Sequence, residues 1–188
     1  MNCPSAVYVM IKMTTSDVLA DPDVLGWVCV LGNLELVKCS LERGNINPDA
    51  NYYHMITSCN VHRNHRQIVR LLLEDDRTDP NADESIALRT AVLYENMSMI
   101  KLLLDDERVD PSVKNNELIL WAARGGNSRT TEYIPEDFGV ITPFHVELAK
   151  LLLKDRRVDP SIRDDECMKC AMMLGSLEMI QILADDRD

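Results

Sequence analysis

The stretch LLLDDERVDP, residues 102–111, recurs as LLLEDDRTDP at residues 71–80 and as LLLKDRRVDP at residues 151–160. With a weaker copy that ends at Asn47-Pro48, the prolines follow one another at spacings of 32, 31 and 49 residues. The last spacing equals one repeat of 31 residues with an insertion of 18. Self-similarity at a fixed period of this length indicates a tandem-repeat protein.

Each repeat is predicted to contain two short helices. In the best-defined unit we expect the first helix from about Glu84 to Tyr94, capped by Asp83, and the second from about Met97 to Asp105. Consecutive leucines on a helix point in directions about 100° apart, so a leucine triplet buries both flanks of its helix. A helix held between two neighbours needs such a pattern. The predicted fold class is therefore all-α, a helix-turn-helix solenoid of about five stacked repeats.

The segment between repeats is predicted to form a turn. Proline restricts its own φ, and the preceding Asp carboxylate can accept hydrogen bonds from nearby backbone N–H groups. The residue before each Asp-Pro is Thr78, Val109 or Val158, which suits a chain pinned against the stack. Acidic residues are unfavourable at the negative end of the helix dipole, so we expect the acidic run after each triplet to lie beyond the helix end.

The repeats resemble the ankyrin family. The segment WAARGG (121–126), continuing at HVELAKLLL (145–153), and the segment GNLELVK (32–38) are similar to that family's Ala-Ala-x-x-Gly-His and hydrophobic second helix. In style the array resembles the divergent ankyrin repeats of large DNA viruses and protists. The resemblance implies short extended fingers between helix pairs. It also implies a cap segment at 1–16 and a single array at 17–188, with repeats at 17–46, 47–78, 79–109, 110–158 (insertion 127–144) and 159–188.

The family's Thr-Pro-Leu-His opening of the first helix is absent. Asn116-Glu117-Leu118-Ile119 and Glu84-Ser85-Ile86-Ala87 stand there instead. The hydroxyl and imidazole that join neighbouring repeats in the family are then missing. We therefore expect cohesion between repeats to depend more on apolar packing.

Composition restricts the possible partners. The chain has 188 residues, of which 46% are apolar, and a formal net charge of -11. Nucleic acid and anionic lipid attract basic surfaces, so neither is an expected partner. The acidity either keeps the chain soluble or attracts a protein with a basic surface. No stretch approaches the ~18 apolar residues of a membrane span.

Six cysteines occur in a chain with no recognisable secretory signal, which favours an intracellular, reducing compartment such as the cytoplasm or nucleus. Cys167 and Cys170 form a lone C-x-x-C without the second ligand pair that zinc needs, so they are interpreted as helix residues, with a metal or redox role as the alternative. His62 and His65 are interpreted as turn residues, with metal binding as their alternative. No catalytic constellation or Gly-rich phosphate loop is present, so neither an enzyme nor a cofactor is expected.

The resemblance to ankyrin arrays implies that a partner contacts the inner faces of the first helices and the finger tips. Trp121 with Arg124 is the strongest anchor hypothesis, because both residue types are enriched at binding hot spots. The alternative is that each tryptophan packs along the neighbouring repeat. The full set of predicted partner-binding residues is Trp27, Tyr53, Thr90, Tyr94, Val113, Lys114, Trp121, Arg124, Arg163 and Met173.

Two irregularities stand apart from the repeat. The insertion 127–144 contains Tyr133, Phe138 and Phe144, and either folds back over neighbouring second helices or offers a second docking surface. The final repeat has no polar capping repeat after it within the given sequence. The leading functional hypothesis is a non-enzymatic scaffold that binds a partner protein. The alternative is an assembly module that forms homo-oligomers through its uncapped C-terminal repeat.

Overall fold

The computed structural model describes residues 28–42, 65–126 and 139–185. The chain divides into two compact units, Met1–Ala82 and Asp83–Asp188. Within the described residues all regular secondary structure is helical, and no strand is present. After a short helical end at 28–30, the helices are α1 (Leu34–Glu42), α2 (His65–Leu73), α3 (Ala82–Leu93), α4 (Met97–Leu104), α5 (Val113–Ala123), α6 (Pro143–Leu152), α7 (Ile162–Met173) and α8 (Leu177–Asp185). The all-α prediction is confirmed for this part of the chain.

In the first unit, α1 packs against α2. In the second unit, α5 packs against α6 and α7, and α8 packs against both α6 and α7. α4 also contacts α6, and an ion pair between Arg89 and Glu117 (3.5 Å) joins α3 to α5. The helices of the second unit therefore form two layers, with α3, α5 and α7 in one and α4, α6 and α8 in the other.

The leucine triplets supply the core between the layers. The middle residue of each triplet, Leu72, Leu103 or Leu152, is fully buried, and its neighbours are buried or half-buried. The second helices end at Leu73, Leu104 and Leu152, so the acidic residues do lie beyond the helix ends, as the helix dipole requires. Burying both flanks of each helix keeps these leucines out of water, which is the main source of stability in such a stack.

The first helices begin differently from the prediction. Asp83 does not cap α3, because Asp83, Glu84 and Ser85 have φ between 50° and 56° and form a left-handed turn. The same turn occurs at residues 114–116 and 163–165. L-residues enter this region at a cost of about 1–2 kcal/mol each, with Asn and Asp as the usual exceptions. The spacing of apolar and polar residues does not reveal a left-handed turn. The prediction that Asp83 caps the helix was therefore wrong.

The turns between paired helices share one construction. A residue with positive φ ends the first helix, namely Gly32, Glu95, Gly125 or Gly175. The next backbone N–H bonds to the carbonyl five residues earlier, as in Asn96 to Ala91 (2.9 Å) and Ser176 to Ala171 (3.1 Å). This is the Schellman arrangement. Asn33 and Asn96 then cap the second helices by accepting from Leu36 (3.2 Å) and Met99 (3.1 Å).

The Asp-Pro turns form as predicted. Asp110 Oδ1 accepts hydrogen bonds from Ser112 N (2.9 Å) and Ser112 Oγ (2.6 Å), and Asp159 accepts from Ser161 in the same way. The residues before the dipeptides, Thr78, Val109 and Val158, are all buried.

Within each unit, arginines connect neighbouring repeats through backbone carbonyls. Arg157 donates from Nη2 to the carbonyl of Val109 at 2.7 Å, and Arg77 donates to the carbonyl of Leu41 at 3.0 Å. The guanidinium that bonds Asp155 holds the pKa of that carboxyl below its ordinary value. Such pairing fixes the arginine side chain in the direction of the preceding repeat.

Two further polar links add to the apolar packing on which cohesion between repeats was expected to depend more. Ser85 Oγ donates to the carbonyl of Asp110 (3.5 Å), and Asn116 Oδ1 accepts from the N–H of Asp159 (2.9 Å). Both Ser85 and Asn116 are the third residue of a left-handed turn. The turn therefore places a short polar side chain within hydrogen-bond distance of the backbone of the next Asp-Pro turn.

Candidate partner-binding surface

The exposed apolar side chains of the second unit concentrate at the ends of the first helices. Leu93 and Tyr94 at the end of α3 are both more than half exposed, and so is Met173 at the end of α7. Leu93 and Met173 occupy the same position of their repeats, thirteen residues after the repeat proline. A set of neighbouring exposed apolar residues is a feature of interaction sites, whereas single ones are ordinary.

Val140 occupies the corresponding region of the intervening repeat, and it is 77% exposed. Its backbone lies directly over the turn that ends α5. Gly139 donates to the carbonyl of Arg124 at 3.0 Å, and a Cβ on Gly125 would come within 2.8 Å of backbone atoms of Val140. The end of the insertion is thereby held over the end of α5, which packs against α7 and is joined to α3 by the ion pair of Arg89 with Glu117. We call Leu93, Tyr94, Val140 and Met173 the apolar strip.

Trp121 is placed in the interior, so the hypothesis of an exposed tryptophan anchor is not supported. It is 9% exposed, with its ring centroid 5.0 Å from that of His145 and 6.3 Å from that of Phe144. The alternative, that each tryptophan packs along the neighbouring repeat, stays a prediction, because the ring contacts of Trp121 lie within its own repeat. Phe144, assigned to the insertion, belongs to α6 and is half-buried against Trp121. Thr90, another predicted contact, is also buried.

Arg124 is already occupied by a partner within the chain. It forms an ion pair with Glu166 of α7, and its side chain is less than one-third exposed. This pair connects α5 to α7, and to bind a partner through its charge Arg124 would have to give up that carboxylate and leave it uncompensated. Arg124 therefore links two helices within the chain, and its role as an anchor stays a prediction.

The predicted finger residues lie at the opposite ends of the first helices from the apolar strip. Lys114 and Arg163 are exposed, but both carry acidic partners: Lys114 pairs with Glu84 at 2.8 Å, and Arg163 with Glu166 at 3.8 Å. Val113 is half-buried. These residues stand in or beside the left-handed turns, so their positions depend on a backbone that sequence patterns did not predict. Four other predicted contacts, Trp27, Tyr53, Tyr133 and Phe138, lie outside the described residues.

The cysteine pair has the properties of core residues. Cys167 and Cys170 are both buried free thiols, and burial raises the pKa of Cys167 to about 12. A reactive cysteine needs a thiolate near neutral pH, which this environment disfavours. No group of three or more potential metal-ligating side chains occurs within residues 28–42, 65–126 and 139–185. Of the other described cysteines, Cys29 is buried, whereas Cys39 is exposed.

Both described histidines are buried beside helix starts. His65 Nε2 lies 3.2 Å from the carbonyl of Val30. His145 Nδ1 accepts from the N–H of Thr142 at 3.0 Å, which forms half of a capping box at the start of α6. Burial lowers the pKa of His145, although the carboxylate of Glu95 opposes that shift. His65 is the first residue of α2, so its interpretation as a turn residue is wrong, and His62 lies outside the described residues.

No helix of the described residues is long and apolar enough to cross a membrane. Comparison of the chain with protein-family models, with curated protein sequences and with solved structures finds no match. The residues that sequence reasoning did not select for the candidate surface are Leu93 and Val140. Leu93 had a detectable signal, since it shares its repeat position with Met173, whereas Val140 reaches the surface only because the insertion returns over Gly125.

Proposed function

We propose that the chain is a divergent ankyrin-type repeat protein that binds a partner protein, without catalysis, along the apolar strip. The observation that supports this most directly is the exposure of Leu93, Tyr94, Val140 and Met173 at the ends of successive first helices. The core of the unit is otherwise well filled, with leucine and isoleucine side chains at zero exposure. Exposed apolar side chains add nothing to that core, and covering them with a partner removes their area from water.

The expected partner segment is apolar along its centre. Leucine, methionine and tyrosine offer flexible or broad contact surfaces, and methionine in particular adapts to different shapes. The charges around the strip come from Glu95 and from ion-paired side chains such as Arg124, so basic residues at the edge of the partner segment would complement Glu95. The net charge of -11 also favours the approach of a basic partner.

The test is affinity capture from cell extract with three forms of the chain. The strip variant carries Leu93→Glu and Met173→Glu. The control carries Ser98→Glu, an exposed position on α4 in the other helix layer, where an acidic residue near a helix N-terminus is tolerated. We expect a protein that the wild type and the control retain and that the strip variant loses. Retention of the same proteins by all three forms would reject the strip as the binding surface.

A direct binding measurement then separates the strip from the finger residues. Once a captured protein is purified, its affinity is compared for Tyr94→Ala and for Lys114→Ala. We expect Tyr94→Ala to weaken binding by at least tenfold and Lys114→Ala to change it little, because Lys114 is engaged with Glu84. The reverse order would favour the fingers over the strip.

A further inference from the structure

The last helix pair, α7 and α8, has an apolar face that no described helix covers. Met172, Leu177 and Ile180 form this end face. It is distinct from the apolar strip, because Met172 and Leu177 occupy repeat positions that are directed toward a following repeat.

A comparison of equivalent positions identifies the face. At the position of Met172, the earlier repeats have Val92 at 2% exposure and Ala123 at 0%, whereas Met172 is 60% exposed. At the position of Leu177, the earlier repeats have Met97, which is half-buried, and Val146 at 6% exposure, whereas Leu177 is 82% exposed.

The third member of the face follows the same rule. Ile100 and Ala149, which are equivalent to Ile180, are fully buried, whereas Ile180 is half-buried. In earlier repeats these positions are covered where consecutive helix pairs pack together, so the end face continues that interface beyond the last pair.

The charges on the end face indicate which molecule covers it. Earlier second helices reach the next pair through cations: Lys101 bonds Glu147 at 2.6 Å, and Lys150 bonds Glu178 at 2.7 Å. At that position the last helix has Gln181, whose amide bonds Asp185 within α8 at 2.6 Å.

The cation that would receive a further repeat of this type is therefore replaced by a neutral residue, Gln181. The end face is correspondingly suited to an apolar, uncharged surface.

We propose that the end face binds the same face of a second copy of this chain, giving a dimer with two-fold symmetry. In such a dimer each residue meets the same patch on the other copy, so the surface must match itself. Met172, Leu177 and Ile180 do so, since apolar side chains attract their own kind. Lysines at the position of Gln181 would instead bring like charges together. This inference concerns a different surface from the strip and does not depend on the proposed function.

The test is the molar mass in solution by sedimentation equilibrium, from low to high micromolar concentration. We expect the wild-type mass to rise from one chain towards two as the concentration increases. The variant Met172→Glu with Leu177→Glu should remain at the mass of one chain. The matched control, Leu93→Glu with Tyr94→Glu, places the same two charges on the strip and should dimerise like the wild type.

Two further measurements keep the proposal open to rejection even if a variant folds poorly. Mixing the double Glu variant with Met172→Lys plus Leu177→Lys should restore a mass of two chains, because opposite charges then meet across the interface. In the wild type, hydrogen exchange at residues 172–183 should slow with concentration while exchange at the strip does not. A wild-type chain that stays monomeric would overturn the proposal, and so would a dimer that only the strip variant dissolves.

Discussion

Asn116 Oδ1 accepts a hydrogen bond of 2.9 Å from the backbone N–H of Asp159, a residue 43 positions further along the chain. Asn116 is buried, with φ of 60°. One residue therefore combines the left-handed turn before α5 with a link to the next Asp-Pro turn.

Asn116→Gly should destabilise the protein, because it leaves the N–H of Asp159 without this acceptor. A buried donor without a partner costs about 1–3 kcal/mol, and glycine at a left-handed φ offsets about 1 kcal/mol of that. The matched control is Asn115→Gly, which relieves the same backbone conformation but removes only an exposed side chain. Urea unfolding should show a lower free energy of unfolding for Asn116→Gly and an unchanged or higher one for Asn115→Gly. Equal effects would show that the hydrogen bond contributes nothing measurable.

Glu95 is the one non-glycine residue among the four described turns between paired helices, and its φ is 52°. Glu95→Gly should raise the free energy of unfolding by about 1 kcal/mol, since glycine has no Cβ to strain the left-handed conformation. Glu95→Gln separates this effect from the loss of charge, because it keeps the Cβ. If both substitutions stabilise the chain equally in thermal unfolding, the charge and not the backbone is responsible.

The turns show which parts of the fold can be predicted from sequence patterns. The period, the leucine triplets and the Asp-Pro turns predicted the helix pairs, because burial and turn chemistry depend on residue type alone. The left-handed turn at residues 83–85 was not predicted, because Asp-Glu-Ser equally suits an ordinary helix start.

The candidate surface was predicted only in part, and the reason is geometric. Tyr94 and Met173 were selected and are exposed, but Thr90 of α3 and Trp121 of α5 were also selected and are buried. A helix turns about 100° per residue, so residues three or four positions apart lie on the same face, and the sequence predicts that face. Whether a residue on the face is buried depends on the neighbouring helices, which the local sequence does not specify. The aromatic contacts of Trp121 with Phe144 involve a residue on the far side of the insertion, which no local pattern connects.

Gly125 and Gly175 allow the contact between the insertion and its turn to be measured. Both end a first helix with positive φ, but a Cβ on Gly125 would lie 2.8 Å from the backbone of residues 139 and 140, whereas one on Gly175 would meet nothing within 4 Å. Gly175→Ala should cost about 1–2 kcal/mol, the strain of the backbone alone. Gly125→Ala should cost about 1–3 kcal/mol more than Gly175→Ala, because backbone atoms must move. Equal losses in urea unfolding would mean that Val140 is not held over this turn.

His145 should make the stability of the second unit sensitive to mild acid. Its pKa in the folded chain is lowered by burial, and its Nδ1 accepts from Thr142 N, a bond that protonation of that nitrogen abolishes. In the unfolded chain a histidine titrates at about 6.5. As the pH falls below that value, the unfolded chain takes up a proton that folded His145 does not, so the free energy of unfolding decreases. His145→Gln keeps an acceptor suited to this helix position and cannot titrate. Urea unfolding at pH 7 and pH 5 should therefore show a smaller loss of stability for the variant than for the wild type. The other histidines are present in both proteins, so an identical loss in the two would exclude His145 as the source of the acid sensitivity.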